Sequence, residues 1–226
     1  AAHAAKVWGF TPELALLFAT ACSAALGWVT GLLAIRRQGI YFAMITLALA
    51  QMVFFFSLQA PFTGGEDGIQ AVPRGRLFGL FELSNVNAMY AFVLAIFLGG
   101  FLLIYRIIHS PFGQVLKAIR ENEPRAISLG YDVDGYKLLA FVLSTALAGL
   151  AGALEVAGPI GQLTPYVPAG YGFAAIIVAF VGRLHPVGMI FSAILMSMFY
   201  IGGELAQSRL GLPKSLTGVF QGLLLF

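Results

Sequence analysis

The chain has 226 residues, 59% of them hydrophobic and only 10% charged, with a net charge of +3. Mean hydropathy is +0.88. A soluble domain carries about 25% charged residues, so this composition excludes one and reads as a polytopic membrane protein. The basic residues lie beside hydrophobic segments, which reports loop orientation rather than nucleic-acid binding.

A spanning helix needs about 20 apolar residues, and that criterion predicts segments at roughly 13–35, 39–60, 88–108, 138–158, 171–182 and 187–206, with a truncated one from about 215. The segment at roughly 171–182 is short for a full span and reads as a half-helix or part of a broken one. The expected class is all-α, a transmembrane helix bundle forming one domain over residues 1–226. The chain opens without an initiator Met and stops in the apolar run Gly222–Phe226, so it reads as the middle of a longer protein. Cys22 stands alone in an apolar run and reads as a buried, inert thiol.

If the spans alternate, Arg36, Arg37, Arg106, Lys117, Arg120, Arg125, Lys137 and Arg183 fall on one side. Lys6, Arg74, Arg76, Arg209 and Lys214 fall on the other. The excess marks the first side as cytoplasmic. The loop 61–87, with TGGEDG at Thr63–Gly68, is then external. Glycines there supply the positive φ of tight turns, so Thr63, Gly64 and Gly65 read first as a turn and second as a surface for substrate or a docking protein.

Between the third and fourth spans lies the polar island Ser110–Lys137, SPFGQVLKAIRENEPRAISLGYDVDGYK. Phe112, Val115, Leu116 and Ile119 recur at i, i+3, i+4 and i+7, the apolar stripe of an amphipathic helix. Ser110 followed by Pro111 is a helix start. Pro124 stops that helix and opens a second, which ends at Gly130. Two such helices on the cytoplasmic side form a docking surface for a soluble partner.

In the next span two rows of small residues recur every four positions: Ser144, Ala148 and Gly152, and Thr145, Gly149 and Ala153. That spacing lets helix backbones approach closely in lipid. Polar groups at membrane depth are costly and usually face a cavity or a partner. Glu155, near the outer end of its helix, is a candidate substrate contact or an interfacial carboxylate that simply reaches water; Glu204 is a weaker candidate. Gln51, mid-span, either lines a pathway or bonds a neighbouring helix. The chain has no phosphate-binding loop, no H-E-x-x-H, no G-x-S-x-G and no Cys/His cluster, so neither catalysis nor a cofactor is expected in it.

The stretches GIYFAMITLALAQM (Gly39–Met52), FTGGEDG (Phe62–Gly68) and Ser110–Leu154 resemble the LivM-type permeases of bacterial branched-chain amino acid ABC importers. The resemblance covers about residues 30–154. From about residue 155 onward, the runs PAGYGF, VGRLHPVG and GGELAQSRLGLP look more like permeases of simple-sugar and nucleoside importers. The resemblance implies that the island, residues 110–137, couples the permease to ATPase subunits, with Glu121 or Glu123, Ala126 and Gly130 matching the family's loop although its E-A-A triplet is absent; Leu116, Ile119 and Arg125 are the island's own candidates for the same contact. The candidates for the substrate pathway, read from their own polarity and position, are Gln51, Thr63, Gly64, Gly65 and Glu155. The resemblance also implies ATP held by the partner ATPases, a second permease subunit, alike or related, a periplasmic substrate-binding protein, and the bacterial inner membrane. A channel, an intramembrane enzyme or a scaffold subunit are the readings from other classes.

Overall fold

The computed structural model describes residues 1–37, 39–64, 68–72, 75–77, 81–83, 85–163, 171–210 and 219. Within these, the chain is helical: α1 (Ala2–Lys6), α2 (Pro12–Ala34), α3 (Ile40–Gln59), α4 (Val86–Ile108), α5 (Pro111–Glu121), α6 (Glu123–Ser128), α7 (Val133–Glu155), α8 (Tyr171–Val181) and α9 (Pro186–Leu210). A 3-10 turn follows α3 at Pro61–Thr63, and a π turn, Val156–Ile160, prolongs α7. The one sheet among the described residues is a hairpin of two-residue strands, β1 (Arg76–Leu77) and β2 (Phe81–Glu82), paired Arg76 to Glu82 and Leu77 to Phe81. Among the described residues, five helical segments are long and apolar enough to cross a membrane: Pro12–Ala34, Ile40–Gln59, Val86–Ile108, Val133–Gly158 and Pro186–Gln207. The protein is a multi-pass, all-helical membrane protein. The segment expected from about residue 215 lies outside the described residues, apart from residue 219.

The chain divides into two compact units, Ala1–Val167 and Pro168–Phe226. The first is organised around α2 and α7, its most extensive helix pair. Leu16 meets Ala153 and Leu154 at one end, and Gly31 meets Leu138 and Phe141 at the other, so the pair is antiparallel. Ser23, Gly27 and Gly31 recur every four residues on α2. Ser23 and Gly27 face Thr145 and Gly149 of α7, and Leu16 meets Ala153, so α2 packs on one of the two rows that the spacing singles out. A Cβ added at Gly27 would run into Thr145 Oγ1 and lie 2.8 Å from the Thr145 Cβ. The Ser23 hydroxyl donates to the Thr145 carbonyl at 2.6 Å. Small residues let the backbones close to this distance, where dispersion and an interhelical hydrogen bond take the place of the hydrophobic effect that lipid does not supply. The other row, Ser144, Ala148 and Gly152, is exposed.

At the α2 N-terminal end, Phe92, Val93 and Ile96 of α4 close over Leu16 and Leu154. A cap lies beyond it: Ala2, Ile69, Val72 and Val156 form a small cluster. Ile69 and Leu163 exchange backbone hydrogen bonds of 2.9 and 2.7 Å there. The opposite end gathers the close of α2, the start of α3, the short helices α5 and α6 and the start of α7. Arg36, Arg37, Arg106, Lys117, Arg120, Arg125 and Lys137 belong to that end, while Lys6 lies at the cap, donating to the Gln70 carbonyl. Cys22, expected to be buried, is exposed on α2; the α2 face toward α7 is taken by Ser23 and Gly27, and the Cys22 thiol projects off it.

In the second unit, α8 and α9 form a helical hairpin with Ala174, Ile177 and Met196 at its centre. The Ser192 hydroxyl donates to the Val178 carbonyl at 2.9 Å. The α8 helix has 11 residues, a length of about 16 Å, roughly half of the ~30 Å hydrocarbon layer. It is a half-span, as its short apolar run predicts.

Candidate functional site

Two places in the first unit bring the singled-out residues together. The island is built by caps. Ser110 has extended backbone, and its Oγ accepts from the Gly113 N–H at 3.4 Å while Pro111 takes the first helical position. This satisfies one of the donors a helix start leaves open. Asn122 breaks the chain between α5 and α6 with φ −155, and its Oδ1 accepts from the Arg125 N–H at 3.1 Å. Pro124 then falls in the first turn of α6, where its missing N–H costs nothing. Gly130, with φ +86, closes α6 in the left-handed conformation that an L side chain resists. Asp132 starts α7, accepting from the Gly135 N–H at 3.2 Å. The caps at Asn122 and Asp132 escaped the sequence reading, although an Asn two residues before a proline and an Asp three before a glycine were visible signals.

The apolar stripe of α5 points at α7. Ile119, Ala126 and Val133 are buried together, with Val115 and Tyr136 packed around them. Phe112 stacks on Tyr136, with centroids 5.4 Å apart and planes inclined by 18°. One ion pair ties α6 to α7: Lys137 Nζ donates to Glu123 Oε1 at 2.7 Å, with each side chain about a quarter exposed. Such a pair contributes about 0.2–1 kcal/mol. Ile119 and Ala126 therefore bind the island to the bundle. Leu116 is half-buried in the wall of a cleft, while Glu121, Arg125 and Gly130 are exposed. The most exposed large apolar residues of the island are Ile127 and Leu129, at 57% and 68% exposure. The stripe is already covered by α7, so the surface left for a partner is the opposite side of the island.

The second place is a groove of about 380 Å³ between α4 and α7. Its walls are Val93, Ile96, Phe97, Gly100, Phe101, Ile104, Leu147, Leu150, Ala151 and Leu154, and Glu155 provides its one ionisable side chain. Gln51 is not part of it. That residue is exposed on α3, a helix with no buried residue. Thr63 lies past the end of α3, where its hydroxyl donates to the Ser57 carbonyl and, at 2.6 Å, to that of Ala60. Gly64 has φ +83, and a Cβ on it would run into the Gly68 carbonyl; this is the turn its sequence suggests. Gly65 lies outside the described residues, as does the side chain of Glu204. Among the described residues no group of His, Cys, Asp and Glu is arranged to hold a metal ion.

Long lipid-length helices, a capped helical island at one end and an apolar groove carrying one carboxylate define a membrane permease. The chain belongs to the family described as the branched-chain amino acid transport system / permease component, whose model matches residues 1–226. This is a family of transport permeases, not of enzymes. The chain is 29% identical to the high-affinity branched-chain amino acid transport system permease protein LivM of Salmonella typhimurium, over 86% of this chain and 54% of that protein. It is likewise 29% identical to LivM of Escherichia coli, over 86% and 54%. It is 24% identical to the glucose ABC transporter permease protein TsgB13 of Haloferax volcanii, over 94% of this chain and 60% of that protein. The chain thus spans about half the length of the LivM proteins it matches. One family model covers both parts of the chain, and the LivM similarity, over 86% of it, runs beyond residues 30–154 that carry the motifs. No solved structure matches the chain.

Proposed function

We propose that the chain is the membrane-spanning core of an ABC importer permease that moves branched-chain amino acids inward across the bacterial inner membrane. The observation that carries the substrate class is the α4–α7 groove, read together with the 29% identity to LivM. Its aliphatic and aromatic walls suit a branched hydrocarbon side chain, and the Glu155 carboxylate suits an ammonium group. A sugar needs many hydrogen-bonding groups for its hydroxyls, and this groove offers few. A permease for sugars or nucleosides is the second reading, favoured by the similarity to the glucose permease over 94% of the chain.

In this reading, Gln51, Thr63, Gly64, Gly65 and Glu155 serve the pathway. The exposed side of the island, with Glu121, Arg125, Gly130, Ile127 and Leu129, meets ATPase subunits that bind the ATP. Leu116, Ile119, Glu123 and Ala126 hold the island rigidly on α7, so that ATPase closure reaches the spans as a rigid-body movement. A second permease subunit completes the pathway, and a periplasmic binding protein delivers the substrate. A channel or a scaffold subunit would need no such lever.

The test is ATP-dependent uptake by the complete protein, reconstituted with its ATPases and permease partner and with radiolabelled leucine, glucose or guanosine presented on matching binding proteins. Leucine uptake is expected. Uptake of glucose or guanosine alone would replace the substrate, and leucine flux without ATP would replace the mechanism.

A further inference from the structure

A second cleft, of about 480 Å³, opens at the island end of the first unit. Its lining includes both apolar and charged side chains. Ile35, Phe42, Ala140 and Phe141 are among its apolar lining, with Phe42 and Phe141 in edge-to-face contact at 6.0 Å. Arg37, Lys137 and Glu123 are its charged lining. Lys137 is held by Glu123 at 2.7 Å, whereas Arg37 has no acidic partner among the described residues. The lining therefore carries two cations against one carboxylate.

The cleft also sits at a particular depth. It lies where α2 ends, where α3 begins and one turn inside the start of α7, at the edge of three membrane spans. Its apolar lining continues along α3, which buries none of its residues against the protein. A ligand that fits must be charged at one end and hydrocarbon at the other. One guanidinium and one ammonium group, at the end of the first unit where most of its cations gather, call for a phosphate. The aromatic lining running into the bilayer calls for an acyl chain. A free phosphate would satisfy the cations and leave that lining idle.

We propose that this cleft is a binding site for an anionic phospholipid, its phosphate on Arg37 and Lys137 and an acyl chain along Phe42 and Phe141. The phosphate contends with Glu123 for Lys137, so an occupied site loosens the tie between α6 and α7. Basic recesses between spans are suited to anionic headgroups, with each cation contributing roughly a fivefold change in binding.

The experiment uses the complete permease in phosphatidylcholine nanodiscs doped with phosphatidylglycerol that carries a photoreactive acyl chain, with the labelled peptides mapped by mass spectrometry. Labelling of the segments around Phe42 and Phe141 is expected. Arg37→Gln should lower it about fivefold. Glu123→Gln should raise it, because the competing carboxylate charge is gone. Lys117→Gln, an exposed cation of α5 outside the cleft, should leave it unchanged. Equal labelling by photoreactive phosphatidylcholine, or no response to Arg37→Gln, overturns the site. Displacement of the probe by an equal concentration of soluble glycerol phosphate makes it a free-anion site and overturns the lipid. Labelling that vanishes when the permease is assembled with its partners assigns the cleft to a protein segment and overturns it too. None of these readouts depends on transport, so the result stands apart from the substrate assignment.

Discussion

Replacing Gly27 with alanine tests whether α2 and α7 meet as closely as their small residues imply. The added methyl would run into Thr145 Oγ1 and lie 2.8 Å from the Thr145 Cβ. Rotating the threonine moves its oxygen away, but the Cβ stays fixed to the α7 backbone. Carbon atoms pack at about 3.5–4.0 Å, so the helices must separate by roughly 1 Å at this level. Overpacking of this kind costs about 1–3 kcal/mol. The separation also stretches the 2.6 Å hydrogen bond from Ser23 to the Thr145 carbonyl, which in a membrane contributes about 0.6 kcal/mol. The expected loss is about 2–3 kcal/mol, read as a lower midpoint in SDS unfolding of the purified protein followed by circular dichroism. Gly99→Ala on α4 is the control, since no atom lies within 4 Å of a Cβ there. If Gly27→Ala unfolds at the same detergent fraction as Gly99→Ala, the close approach is refuted.

Other substitutions probe the island and the groove. Ser110→Ala removes the α5 cap and should cost about 1 kcal/mol, seen as faster hydrogen exchange at the Gly113 amide with the spans unaffected. Ile127→Asp with Leu129→Asp should abolish co-purification of the ATPases while leaving the unfolding midpoint unchanged, because both side chains are more than half exposed. Ile119→Asp should lose both association and stability, since it places a charge in the α5–α7 contact, and Leu116→Asp should likewise abolish association; a normal complex with Leu116→Asp would sink its coupling role. Glu155→Gln should raise the KM for leucine about tenfold or more, the size of a lost charge-assisted hydrogen bond; an unchanged KM would leave Glu155 as a carboxylate that merely reaches water.

The spans were legible to within a few residues, because hydropathy is a property of the chain itself and lipid selects on it directly. The start of α7 was the largest miss. Asp134, Tyr136 and Lys137 hide its first turn from a hydropathy criterion, although Asp132 caps it. The turn at Gly64 and the helix ends at Ser110 and Gly130 were legible because each depends on the backbone preference of one residue. Facing was harder. Both small-residue rows of α7 satisfy the same spacing rule, and only the matching series Ser23, Gly27 and Gly31 on α2 decides between them. The stripe of α5 was visible, but the partner that covers it was not: an amphipathic helix states that one side is buried, not against what. The α4–α7 groove was illegible except for Glu155, because its walls are residues that any lipid-facing helix would carry.

The hydrogen bond from Ser23 to Thr145 joins residues 122 positions apart. A ribosome adds about 5–20 residues per second, so α2 emerges on the order of 10 s before the helix it is shaped to receive. Through that interval its Ser23–Gly27–Gly31 seam faces lipid or the insertion machinery, a notch open to any passing helix with small residues of its own. Assembly of this bundle is thus a matter of timing as well as fit. Synonymous or structural changes that delay α7 act on the fate of α2 without altering a single contact in the finished protein.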